Sequence, residues 1–215
     1  MSDERLTVAP QDPSRLEGDL LSESFGLLLA TGQSVPAGTL ASNLGVDEAV
    51  VEATLRGLEQ AGRIRRAPSG GVVGTLGLTI EPFPHELLLD RGEGEPRQFF
   101  TWCALDALGI IGALRVDGRV RSVSPHSGAA IELAFEGGRP RTGGVVLFLA
   151  DRTAGRSVVD DWCPLVNFFE HEEAASAWSA QHGVAGVVVP VIEATGRATD
   201  MWRPRIARRS GQDAG

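Results

Sequence analysis

The stretch Phe99 to Leu114, FFTWCALDALGIIGAL, constrains the fold more than any other part of the chain, because Asp106 is its only charge. A segment apolar on every side belongs in an interior, and this one is shorter than the roughly 18 apolar residues of a membrane span. It reads as a buried helix. It also holds Cys103, one of only two cysteines in the sequence. Thr101 reads as the N-cap, which places Cys103 in the first turn, where the positive end of the helix dipole lowers a thiol pKa. Asp106 follows at i+3 on the same face, roughly 5–6 Å away at Cβ. A carboxylate among Trp102, Ala104, Leu105, Ala107 and Leu108 is poorly solvated, and beside a thiolate one of the pair must keep a proton. The spacing alone fits an inert buried thiol and a surface carboxylate as well.

The second cysteine, Cys163, lies in VVDDWCPLVNFFEHEEAASAW, again directly after a tryptophan. If Cys103 and Cys163 meet across the core, they form a two-thiolate site. With no histidine or further carboxylate to complete a tetrahedron, such a site suits a soft ion of linear preference better than zinc. His85, His126, His171 and His182 have no ligand spacing with either cysteine and read as solvent-facing or satisfied loop residues.

Composition excludes several classes of function. With 42% hydrophobic and 22% charged residues the chain is an ordinary globular sequence, and 215 residues suffice for a substantial core. A net charge of −8 gives no general attraction to nucleic acid or anionic lipid. No secretory signal or membrane span is evident, so the expected location is cytoplasmic, where two cysteines stay reduced.

Along the chain, residues 1–15 read as disordered. LEGDLLSESFGLLLA is a helix, QSVPAGTLASNLGV a short helix from Pro36 to Gly45, and DEAVVEATLRGLEQAG a helix capped by Asp47 and ended by Gly62. RIRRAPSGGVVGTLGLTI then reads as a two-stranded wing turning at Ser69-Gly70-Gly71. Three helices and a hairpin outline a winged helix, which raises a DNA-binding alternative. From Ser34 to Gly74, however, Arg56, Arg63, Arg65 and Arg66 are balanced by Asp47, Glu48, Glu52 and Glu59. Phosphate binding calls for a positive excess. GLTIEPFPHELLLDRGEGEPRQ reads as a connector, with a domain boundary near residue 80. Beyond it, Asp117-Gly118 is a hairpin signal between LRV and RVRSV. IELAFEG and GVVLFLAD are strands joined by the GGRPRTGG loop, HEEAASAWSAQHG is a helix, GVVVPVIEA is a buried strand, and RRSGQDAG is a mobile tail. The expected fold class is α+β: an N-terminal winged-helix-like module over residues 1–80, then an antiparallel-sheet catalytic domain with packed helices over 81–215.

The two cysteine segments together resemble those of the alkylmercury lyases. WCALDALGIIGAL is similar to the family's first active-site segment, and DWCPLVNFFEHEEAASAWSAQHGVAGVVVPVIEA to its second. The resemblance runs from about Phe99 to near Arg205 and centres on the only two cysteines. It implies an organomercurial lyase that splits the carbon–mercury bond by protonolysis to a hydrocarbon and Hg(II), in mercury detoxification. Cys103, Asp106 and Cys163 match the catalytic residues, with Cys103 and Cys163 also holding the Hg(II) product. Trp102 and Trp162 are candidate pocket residues. Ser127 and Pro164 stand where some members carry accessory cysteines. The resemblance implies no cofactor, release of product to low-molecular-weight thiols and hand-off to a mercuric reductase, while the charge balance and the lack of an apolar span give the expectation of no nucleic-acid or membrane partner. The alternatives are a thiol-based metal-binding protein and a mercury-responsive DNA-binding regulator, neither with turnover.

Overall fold

The computed structural model describes residues 15–90, 92, 95–141, 143–152 and 157–207. The expectations for residues 1–14 and for the tail from residue 208 lie outside that set, while Arg15 already opens the first helix. Helices α1 (Arg15–Thr31), α2 (Ala37–Leu44) and α3 (Glu48–Gln60) follow the sequence reading closely. Gly45 closes α2 at φ 65°, and the Asp47 carboxylate accepts the Ala49 N–H at 2.9 Å to open α3. Leu20, Leu28, Leu40, Val51 and Leu55 are fully buried between them, each worth about 1.5–3 kcal/mol.

Strands β1 (Ile64–Arg66) and β2 (Val72–Thr75) form the expected hairpin, fastened to α3 by Arg66 and Glu52 at 2.9 Å. The chain then turns a second time. Leu76 and Gly77, at φ 48° and 85°, reverse it into β3 (Leu78–Thr79), so the stretch read as one wing contains two turns. The expected connector also folds: His85–Leu89 is β4 and Arg97–Thr101 is β5, paired along their whole length. HELLL has alternating burial, the signature of a strand with one face on the core. The Pro and Gly around it had hidden that pattern.

Helix α4 (Ala104–Leu114) is buried from Ala104 through Gly112. It ends at Arg115 in the left-handed region, and LRV is not a strand. The Asp117-Gly118 hairpin is thus absent. Instead β6 (Gly118–Val123) pairs with β4 on one side and with β7 (Ala130–Glu136) on the other. With β8 (Arg139–Pro140), the larger sheet has the order β1-β2-β3-β5-β4-β6-β7-β8, antiparallel throughout and continuous across residue 80.

IELAFEG and GVVLFLAD are strands but belong to different sheets. β9 (Val146–Ala150) is the centre of a second antiparallel sheet between β10 (Asn167–Phe169) and β11 (Gly186–Pro190). Helix α5 (Glu172–His182) covers it, with Trp178 edge-on to Phe148 at 5.6 Å. The strand GVVVPVIEA stops at Pro190, and α6 (Val191–Ala207) begins at once. α6 lies so close on α4 that a Cβ at Gly109 would sit 2.5 Å from the Trp202 ring. The architecture is α+β, as expected.

Candidate functional site: two thiols and a carboxylate

Cys103 is itself the N-cap of α4, with extended backbone at φ −147° and ψ 169°. Thr101, the expected cap, ends β5, and its hydroxyl donates to the Cys103 carbonyl at 3.0 Å. The shift by two residues matters because it brings Asp106 to N3. From there the carboxylate reaches back as in a capping box: Asp106 Oδ2 accepts the Cys103 N–H at 3.1 Å and the Cys103 S–H at 3.1 Å.

Cys163 opens a 3-10 turn, Cys163–Leu165, that follows a π-helical turn, Val158–Trp162. A backbone bond from Ala104 N–H to Val166 O, 3.1 Å, stitches this turn to the start of α4. The result is convergence. One ligand atom each from Cys103, Asp106 and Cys163 lie within 4.8 Å of one another, the one such cluster among the described residues. Both thiols are free and only 1% exposed, and Asp106 is 6% exposed.

Burial governs the protons. It pushes the Cys103 thiol well above its ordinary range, helped by a hydrogen-bonding interaction with Cys163 and by the Asp106 charge. The dipole-lowered thiol expected from sequence is not found, because desolvation outweighs the helix terminus. The Cys163 thiol is pulled down by that same hydrogen bond, yet burial and the charges of Asp106 and Asp160 leave it raised. Asp106 is raised from 3.8 to about 6, chiefly by burial, opposed by the bond from Cys103 and the positive charge of Arg205. At neutral pH the trio thus holds two protonated thiols beside a mainly ionised carboxylate. That is a base already aimed at a soft acid's ligand.

The neighbouring tryptophans differ. Trp162 donates its indole N–H to Ala150 O at 2.9 Å, whereas the buried Trp102 Nε1 has no partner among the described residues. His85, expected in solvent or a loop, is buried in β4; burial lowers its pKa to about 4, and Nδ1 lies 2.8 Å from Ser122 Oγ. His171 caps α5 and His182 stacks on Trp178. None of these joins the cysteines. Asp160 pairs with Arg65 and Asp161 accepts the Ser157 N–H, so neither offers its carboxylate to the trio.

Gly77 lies against Asp106, and Trp202 contacts the neighbouring Leu76; neither was visible in the sequence reading. A Cβ at Gly77 would lie 2.7 Å from Asp106 Cβ and closer still to its carboxyl. The Trp202 indole N–H donates to Leu76 O at 3.2 Å, and the Arg205 guanidinium lies 4.7 Å from the Trp202 ring centroid.

The alkylmercury lyase family model matches residues 78–202. An alkylmercury lyase of Staphylococcus epidermidis is 31% identical over 172 residues, covering 78% of this chain and 74% of that protein. One from Bacillus cereus is 30% identical over 160 residues, covering 72% and 68%. The crystal structure of the mercury-bound form of MerB2 has the same fold, with a TM-score of 0.79, 22% identity, and coverage of 90% of this chain and 92% of that one. The chain therefore belongs to the alkylmercury lyase family.

Proposed function

We propose that the protein cleaves the carbon–mercury bond of alkyl- and arylmercury compounds by protonolysis, in mercury detoxification. The observation that carries this reading is the convergence of Cys103, Asp106 and Cys163 in a buried site. An organomercury cation replaces the proton of one thiol and then of the other, since a soft ion binds thiolate and expels its proton. Asp106 takes one of these protons as general base, and the second leaves to solvent. Two thiolates donating to mercury raise electron density on the bound carbon. Asp106 then returns its proton to that carbon as general acid. The electron pair of the C–Hg bond becomes the C–H bond, mercury remains Hg(II) between two sulfurs, and one proton is released overall.

No redox change occurs, so the reaction as written calls for no cofactor. Water is a poor ligand for so soft a product, and release proceeds by exchange with low-molecular-weight thiols or with the cysteine pair of a mercuric reductase. The need for reduced thiols favours the cytoplasm. In this reading Trp102 and Trp162, beside the two cysteines in sequence and both buried, border the organic group. The balanced charge between Ser34 and Gly74 argues against DNA binding by the N-terminal module.

The test is incubation of the pure protein with phenylmercury and a thiol, with benzene measured by gas chromatography. Catalytic benzene release is expected. Stoichiometric mercury binding without benzene would instead favour a carrier or a mercury-responsive regulator.

A further inference from the structure

Asp106 must do more than be present: its oxygen has to stay on the sulfur side of the pocket through two proton transfers. Oδ2 faces Cys103, through both the N–H and the S–H. The carboxyl's other oxygen, Oδ1, faces Gly77, where a Cβ would overlap it. Gly77 is thus a wall that stops the carboxyl from swinging away from the thiol.

That wall is a two-residue turn in an uncommon conformation. Leu76 has φ 48°, which a non-glycine residue adopts seldom and at an energetic cost. Two hydrogen bonds from outside hold the turn in place. Gly77 O accepts the Trp102 N–H at 3.0 Å, on the residue before Cys103, and Leu76 O accepts the Trp202 indole N–H at 3.2 Å. Trp202 is 4% exposed and is fixed against α4 at Gly109, three residues beyond Asp106. α6 therefore grips the same helix that carries Asp106 and, with its indole N–H, the turn that confines it.

Resting on the lyase reading above, we propose that Trp202 is a positioning residue for the protonolysis step, acting through the Leu76–Gly77 turn to hold the Asp106 carboxyl toward Cys103. It touches neither mercury nor the organic group. Its loss should spare binding of the organomercurial by the thiols and slow delivery of the proton.

The experiment uses the full chain, as wild type, Trp202→Phe and Gly77→Ala. Trp202→Phe keeps an aromatic ring against Gly109 and removes the N–H, and Gly77→Ala presses a methyl group on the carboxyl. Thermal unfolding first establishes that each variant is folded. One equivalent of phenylmercury is then added in H2O and in D2O. Masking of the thiols reports binding, and benzene release in a single turnover reports chemistry. Misplacement of a reacting group on the ångström scale costs up to about a hundredfold, so release slowed by about tenfold or more is expected, with thiol masking unchanged and a larger solvent isotope effect than in wild type. Benzene release at the wild-type rate in folded Trp202→Phe overturns the proposal. So does loss of masking together with release, or slower release with an unchanged isotope effect. Should Trp202→Phe not fold, Gly77→Ala decides by the same three criteria. If the wild type masks its thiols but yields no benzene, it is the lyase reading that fails.

Discussion

Replacing Asp106 by asparagine should make the protein more stable and almost inactive, and both effects follow from the same burial. Asparagine keeps the shape of the side chain and an oxygen that accepts the Cys103 N–H, but it carries no charge. In the folded protein the Asp106 pKa stands at about 6 against an ordinary 3.8, a rise of about two units. At 1.36 kcal/mol per unit, the folded state bears about 3 kcal/mol for keeping this carboxylate ionised. The sign is set by linkage: a group that binds its proton more tightly when folded destabilises the fold wherever it must be ionised. The destabilisation is full above about pH 6 and fades to nothing as pH falls below the ordinary value. Asp106→Asn should therefore gain up to about 3 kcal/mol at pH 8 and essentially nothing near pH 3.5. The gain lies below that ceiling to the extent that the amide N–H2, which takes the place of Oδ1 on the Gly77 side, finds no acceptor there. Urea unfolding at pH 8, 6 and 4 measures the difference directly. Benzene release should meanwhile fall by about 10²–10⁴-fold, the usual contribution of a positioned general acid–base group. Equal or lower stability at pH 8, or a gain independent of pH, would refute the claim that Asp106 is held ionised against its surroundings. Near-normal turnover would refute its role as the proton carrier.

Cys103→Ser and Cys163→Ser should each abolish benzene release while thermal unfolding stays cooperative, because a hydroxyl oxygen is too hard a donor to activate mercury; activity in either folded variant removes that thiol from the mechanism. Wild-type single turnover should fall as pH drops through about 6, since protonated Asp106 cannot accept the thiol proton; a flat profile from pH 5 to 8 contradicts the base role. Both thiols, buried and with raised pKa values, should react slowly at pH 8 with a bulky aromatic disulfide reagent and rapidly in urea, and fast labelling of the native protein would place them nearer to water than the structure does. After one turnover and desalting, one Hg(II) per chain should remain bound with both thiols masked until a dithiol is added, whereas mercury lost with the salt would mean that the sulfurs do not share it.

The three candidate site residues and those packed around them were legible to different degrees. Cys103, Asp106 and Cys163 could be read from sequence because their chemistry is rare: two thiols in the whole chain, one of them three residues from the lone charge of an apolar run. The N-terminal helices were legible for a local reason, since Pro36, Gly45, Asp47 and Gly62 mark their ends whatever lies around them. The errors cluster where a long-range partner decides the structure. Thr101 is a better cap than Cys103 by propensity, and it loses because β5 claims it: Thr101 pairs with both Leu78 and His85. HELLL was hidden by flanking Pro and Gly until β5 and β6 paired with it, and the Asp117-Gly118 signal was overruled once β6 found β4 instead of LRV. Gly77 and Trp202 gave no signal because neither carries reactive chemistry, and the bond from Trp202 to Leu76, the residue before Gly77, spans 126 positions and exists only when α6 closes on α4. The same distinction bears on how the site works. A thiol at a helix N-terminus alone suggests an activated nucleophile, and the sequence reading took it so. Packing of α4, α6 and the Leu76–Gly77 turn removes water, reverses that shift, and leaves the ionised group on Asp106. A site with a ready thiolate would capture any soft cation. One that keeps its thiols protonated and its base ionised makes each proton it will need part of the binding event itself.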